Sequence, residues 1–184
     1  MSEYYLIAQL PSLDGISDGT PIPITEEEFY ELCRSTLNNK SMSELEDATL
    51  LPAINPKKSG SALLRAWNEG ERNFRLALAK VRAEKMDKPF NLGGPIASEL
   101  IKIASDAVEI ENPLDAEKFL LSYRLKFLET LRPIDNFSNE YIIYYALKLK
   151  LLLRIRKFDN KLGREEYTKI YNSILRGDSL EVEK

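Results

Sequence analysis

From Thr25 onward, apolar residues recur three and four positions apart, the spacing of helices that bury one face. Thr25 with Glu28 forms a capping-box signature and predicts a helix running to about Leu37. Ser43 with Glu46 repeats it and predicts a short helix ending near Leu51, ahead of Pro52. After a loop at Asn55-Pro56-Lys57-Lys58-Ser59-Gly60, a long helix is expected from about Ser61 to Met86. Leu64, Trp67, Phe74, Leu78 and Val81 form much of one face of it. Gly70 lies inside this helix, costs about 1 kcal/mol relative to alanine and marks the place for a kink.

Lys88-Pro89 stops the long helix. Asn91-Leu92-Gly93-Gly94-Pro95 then reads as a turn, with Pro95 suited to the first turn of a helix from Ile96 to about Val108. Asn112-Pro113 divides that helix from one running from about Leu114 to Leu131, which Pro133 ends, and Ser138 caps another that reaches about Asn160. Gly163 separates a last helix, about Arg164 to Arg176.

The first 24 residues break this pattern. Tyr4 to Leu10 predicts a short strand or an apolar anchor, and Pro11, Gly15, Gly19, Pro21 and Pro23 punctuate a turn-rich stretch. The expected fold is therefore mainly α, a bundle of about seven helices with an irregular, short-stranded N-terminal arm. The arm occupies 1–24 and buries Tyr4, Leu6, Ile22 and Ile24. The helical domain spans 25–177, and 178–184 form a frayed tail.

Composition narrows the chemistry. The 184 residues contain no histidine and a single cysteine, Cys33. Ser–His and Cys–His catalysis and the usual zinc sites are thereby excluded, and no cofactor is implied. Cys33, beside Leu32 and Leu37, is expected in the core. A net charge of −3 gives no general reason to expect nucleic acid as a partner. The N-terminus carries an acid where an export signal needs bases, and no apolar run approaches the length of a spanning helix. A cytoplasmic location is expected, with the inner membrane reached only through a complex.

Charge is unevenly distributed. Residues 1–62 carry ten acids and four bases, whereas 118–164 carry eleven bases and four acids. Lys150, Arg154, Lys157 and Lys161 fall on one helical face and are candidates for an acidic protein partner, with RNA or anionic lipid as alternatives. A solvated face complementing the helix dipole is the plainer account. Arg65, Arg72, Arg75 and Arg82 on the long helix form a second candidate contact surface, against surface pairing with Glu69, Glu71 or Glu84. Gly93-Gly94-Pro95 lacks any phosphate-loop motif, and Glu26, Glu27, Glu28 and Glu31 suit a helix N-terminus better than acid–base work. Glu27-Glu28-Phe29 through Leu37 is echoed by Glu165-Glu166-Tyr167 through Leu175, an agreement that two amphipathic helices reach by chance.

Two stretches carry a resemblance. Tyr4-Tyr5-Leu6-Ile7-Ala8-Gln9-Leu10-Pro11-Ser12-Leu13, followed by Pro23-Ile24-Thr25-Glu26-Glu27-Glu28-Phe29-Tyr30-Glu31-Leu32-Cys33, resembles a bacterial family of unknown function encoded among V/A-type ATPase genes. Tyr144-Tyr145-Ala146-Leu147-Lys148-Leu149-Lys150-Leu151-Leu152-Leu153-Arg154, with Gly163-Arg164-Glu165-Glu166-Tyr167, is similar to the helical C (d) subunit of those enzymes. That subunit caps the rotor ring and receives the central stalk, and this chain is much shorter. The resemblance implies rotor or central-stalk subunits as partners, with no catalytic residues to carry over. The expected function is a non-catalytic component or assembly factor of a V/A-type ATPase. The rivals are a small-molecule enzyme using carboxylate or tyrosine chemistry, and a regulator binding RNA or lipid through the basic helix.

Overall fold

The computed structural model describes residues 2–16, 20–52, 60–90, 94–158, 167, 168 and 170–172. The helices bounded within the described residues are α1 (Ser2–Gln9), α2 (Glu26–Thr36), α3 (Asn39–Glu46), α4 (Ala62–Lys85), α5 (Ser98–Glu109), α6 (Pro113–Thr130) and α7 (Asn139–Arg156). The mainly helical bundle is as the periodicity predicts.

The central element is α7. Every residue from Ile142 to Leu149 is buried, so this helix is covered on all sides rather than along one stripe. Ile142, Tyr145, Ala146, Leu149 and Leu152 pack with Leu6 of α1, Phe29 and Cys33 of α2 and Leu45 of α3. Ile143, Tyr144, Leu147 and Leu151 pack with Leu63, Leu64 and Trp67 of α4 and Leu121 and Leu128 of α6. A third cluster joins α4, α5 and α6 through Phe74, Leu78, Val81, Ala104 and Leu120.

Local signals set most boundaries. Thr25 and Glu28 close the predicted capping box, with the Thr25 N–H donating to Glu28 Oε2 at 2.9 Å and the Glu28 N–H to Thr25 Oγ1 at 3.2 Å. Asn112 caps α6, Pro113 occupies its first turn, and Ser138 caps α7. Cys33 is fully buried, and burial pushes its thiol up to about 12.

Four expectations change. Residues 2–9 are helical, and no strand exists among the described residues. A lone strand here has no partner for its ladder, whereas a helix satisfies its own backbone while Leu6 enters the core. Tyr4 is 60% exposed rather than buried. The second capping signal lies earlier, because Asn38 Oδ1 accepts the Ser41 N–H at 2.9 Å and starts α3 ahead of Ser43. Helix α4 runs unbroken through Gly70. A Cβ there would lie 2.2 Å from Phe127 Cζ, so glycine permits α6 to approach rather than bending α4.

The loop at 55–60, the turn at 91–95, the last predicted helix and the tail at 178–184 fall wholly or largely outside the described residues. Within that last helix, 167, 168 and 170–172 are helical. Tyr167 is exposed there, whereas Phe29, its counterpart in the sequence echo, is buried in the core.

Candidate interaction surface

The predicted basic face does not form one exposed stripe. Lys150 turns inward: its Nζ donates to the Ala48 carbonyl at 2.7 Å, lies 3.8 Å from Glu26 Oε1 and sits 5.4 Å from the centre of the Tyr30 ring. It ties α7 to the end of α3 and the start of α2, a cation packed over an aromatic ring as well as hydrogen-bonded. Arg154 is exposed and pairs with Glu117 of α6 at 2.9 Å. Lys157 caps α7 and faces solvent, while Lys161 lies outside the described residues. Arg156, not among the candidates, donates to the Thr20 carbonyl at 3.3 Å and holds the arm against α7.

The arginines of α4 also separate. Arg65 donates to the Gly60 carbonyl at 3.1 Å, and Arg72 and Arg82 are exposed. Arg75 pairs with Glu71 at 2.7 Å. Glu71 is itself buried and receives Arg124 of α6, whose Nε and Nη2 reach its carboxylate at 2.9 to 3.1 Å. The Arg124 guanidinium lies 5.3 Å from the Phe74 ring centre. This is a desolvated, bidentate pair joining two helices, and its chemistry is structural.

A second ionic cluster is not legible from residue spacing. Lys148, in the middle of α7, is 7% exposed and places Nζ 2.6 Å from Asp14 Oδ1 and 2.8 Å from Glu129 Oε1. Tyr144 donates its hydroxyl to Glu129 Oε2 at 2.8 Å, and Arg132 reaches Asp14 at 3.3 Å. The hydrogen bond from Lys148 holds the Asp14 carboxyl below its ordinary range. Burial works against ionisation of Glu129, yet the bonds from Lys148 and Tyr144 outweigh it and lower that carboxyl too. Burial likewise opposes the Lys148 charge, but its partners prevail and the ammonium is held above its ordinary value. Tyr144 is pushed up to about 12, chiefly by burial. Together with Tyr145, whose hydroxyl donates to the Pro11 carbonyl at 2.8 Å, this web fixes the 11–14 loop on α7.

Elsewhere, large apolar side chains stand open around the connection from α6 to α7. Tyr4 of α1 stacks on Phe137 of the α6–α7 connection, with ring centres 4.5 Å apart, while both rings remain about half exposed or more. Tyr5 adjoins Tyr4, and Ile134, three residues before Phe137, is fully exposed. The connection is ordered by its own hydrogen bonds, from the Phe137 N–H to Asp135 Oδ1 at 2.9 Å and from Ser138 Oγ to the Asp135 carbonyl at 2.8 Å. Isolated exposed apolar residues are ordinary, and the stacked Tyr4–Phe137 pair is the candidate for a contact surface. Two sequence signals point here. Tyr4-Tyr5-Leu6-Ile7 is too continuous for one helix to bury entirely, and Ile134 and Phe137 sit in a polar turn with no period to hide them.

An open groove beside α2 is lined by Pro11, Pro23, Ile24, Glu28, Glu31, Leu32 and Ser35, and the Glu28 carboxylate there is committed to the helix cap. No described helix is long and apolar enough to cross a membrane. No protein-family model, curated protein or solved structure matches the chain.

Proposed function

We propose that the chain is a non-catalytic protein that works through protein–protein contacts, as a component or assembly factor of a V/A-type ATPase with a coupling role like that of the helical rotor-cap subunit. The observation that carries the contact reading is the stacked, half-exposed Tyr4–Phe137 pair, with Ile134 fully exposed on the same α6–α7 connection. Rings of this kind supply contact area with little conformational entropy to lose on binding. The ATPase assignment rests on the sequence resemblance of the opening stretch and of 144–154, and it implies a cytoplasmic location, at the inner membrane only through the complex. The Asp14 and Glu129 carboxyls are both lowered and both held by Lys148, and that of Glu28 is lowered by its cap bonds from Thr25, arrangements suited to fixing structure rather than to exchanging protons with a substrate.

A tagged pull-down from the native host at near-physiological salt, with mass spectrometry of what co-purifies, tests the assignment. Rotor or stalk subunits in stoichiometric amounts establish a resident component, and substoichiometric recovery establishes an assembly factor. Recovery of no ATPase subunit rejects the assignment.

A further inference from the structure

The buried ammonium of Lys148 carries three N–H donors, and each has an acceptor: Asp14 Oδ1 at 2.6 Å, Glu129 Oε1 at 2.8 Å and the Tyr144 hydroxyl at 3.3 Å. The three acceptors differ in origin. Glu129 and Tyr144 stand on α6 and α7, and the 2.8 Å bond from the Tyr144 hydroxyl to Glu129 Oε2 ties them to each other. Asp14 comes from the arm, 134 positions before Lys148. Its turn faces open space: Gly15, with φ +72°, has nothing within 4 Å of where a Cβ would lie, and the Asp14 side chain is 54% exposed. Arg132, just beyond α6, reaches the same carboxylate at 3.3 Å.

Without Asp14, Lys148 and Arg132 face Glu129 alone, which leaves one positive charge in excess. One donor of an ammonium only 7% exposed then lacks an acceptor. We propose that Lys148 and Arg132 form a carboxylate-binding site for an aspartate or glutamate side chain of a protein partner, and that Asp14 fills it in the free chain as an autoinhibitory contact. Two features select this ligand. Glu129 stays in the site and opposes the second charge of a phosphate, whereas a carboxylate restores neutrality. A free small acid seated where Asp14 lies leaves half of its surface in water, while an acid carried on a protein surface adds the contacts of its neighbours. Those added contacts are what let it displace Asp14, which competes from within the chain at high effective concentration. The site uses neither ring of the Tyr4–Phe137 pair and no ATPase subunit, so it stands or falls apart from both.

The test uses the full chain, its Asp14→Ala and Asp14→Ala/Lys148→Met variants, sodium acetate, and a labelled peptide with the arm's own sequence from Pro11 to Ile16. In Asp14→Ala, acetate raises the Tm saturably beyond what sodium chloride does at equal ionic strength, and the wild type and the double variant show no such rise. The peptide binds Asp14→Ala at least about tenfold tighter than it binds the wild type, where Asp14 already fills the site. It also binds at least about threefold tighter than acetate, and Asp14→Asn within the peptide removes that binding. Circular dichroism confirms that both variants remain helical. No acetate-specific rise in Asp14→Ala, or an equal rise in the double variant, overturns the site. Acetate binding as tightly as the peptide overturns the protein partner in favour of a free small acid. Equal peptide binding by the wild type and Asp14→Ala overturns the autoinhibitory contact.

Discussion

The two ends of the α6–α7 pair are built from opposite materials. At one end lie Lys150, Arg154, Arg156 and Glu117, a concentration of charge that stands out in the sequence. At the other lie Tyr4, Ile134 and Phe137, which do not. In the fold, the conspicuous charges are largely consumed internally: Lys150 by a carbonyl and a ring, Arg154 by Glu117, Arg156 by the arm. Of the inconspicuous apolar groups, Tyr4 and Phe137 stack on each other yet stay about half exposed, and Ile134 is fully exposed. Charge on a helix face is inexpensive to carry and easily paired. A contiguous apolar group facing water is costly to leave open, so its presence is the stronger sign of a partner.

The depth of each ionic cluster sets the scale for breaking this comparison. The largest effect is expected at a third site, remote from both ends. Glu71→Ala leaves Arg124 buried without its carboxylate and costs about 3–5 kcal/mol in urea unfolding. A loss below about 1 kcal/mol would show that Arg124 escapes to water.

Next comes the web around Lys148. Lys148→Met costs about 1–3 kcal/mol, less than Glu71→Ala because Asp14 and Glu129 are partly exposed and regain water. Its pH dependence follows from the direction of each shift. Asp14 and Glu129, with ordinary values of 3.8 and 4.5, are lowered in the fold. Their contribution is therefore full above those values and is lost as pH falls through the folded ones. Lys148 is raised from 10.5, so its contribution is full below that value and is lost only as pH rises through the folded one. The stability difference between wild type and Lys148→Met is expected to be flat from about pH 5 to about pH 10 and to shrink on the acid side. A difference that grows with acid would contradict the assignment of these ion pairs.

The basic end is expected to divide internally. Lys150→Glu costs about 1–2 kcal/mol, because it sets a carboxylate against the Ala48 carbonyl and near Glu26. Arg154→Glu stays within about 1 kcal/mol, as an exposed pair should. Equal costs in thermal unfolding would remove the distinction between an inward lysine and a surface arginine. The patch falls at a similar level: Tyr4→Ser with Phe137→Ser costs about 1 kcal/mol or less, chiefly the stack, since both rings are about half exposed.

Much of the fold was legible because helices announce themselves locally. Capping residues at Thr25 and Ser138 and the apolar period of α4 depend on neighbours three or four positions away. What escaped depends on contacts across long stretches of chain. Gly70 acquires its meaning only when Phe127 arrives, and Lys148 only when Asp14 and Glu129 converge on it. Tyr4 has the composition of a core residue, but its helix had already given Leu6 to the interior. Lys150 and Arg154 are one turn apart on the same helix, yet spacing alone does not say which of them a neighbouring carbonyl will claim.

The most direct test of the central claim is a parallel native pull-down of three proteins: wild type, Tyr4→Ser/Phe137→Ser and Arg154→Glu/Lys157→Glu. The account predicts that the aromatic variant loses the co-purifying partners while the charge-reversed variant keeps them. Partners kept by the aromatic variant and lost by the charge-reversed one would contradict it and return the contact surface to the basic end of α7.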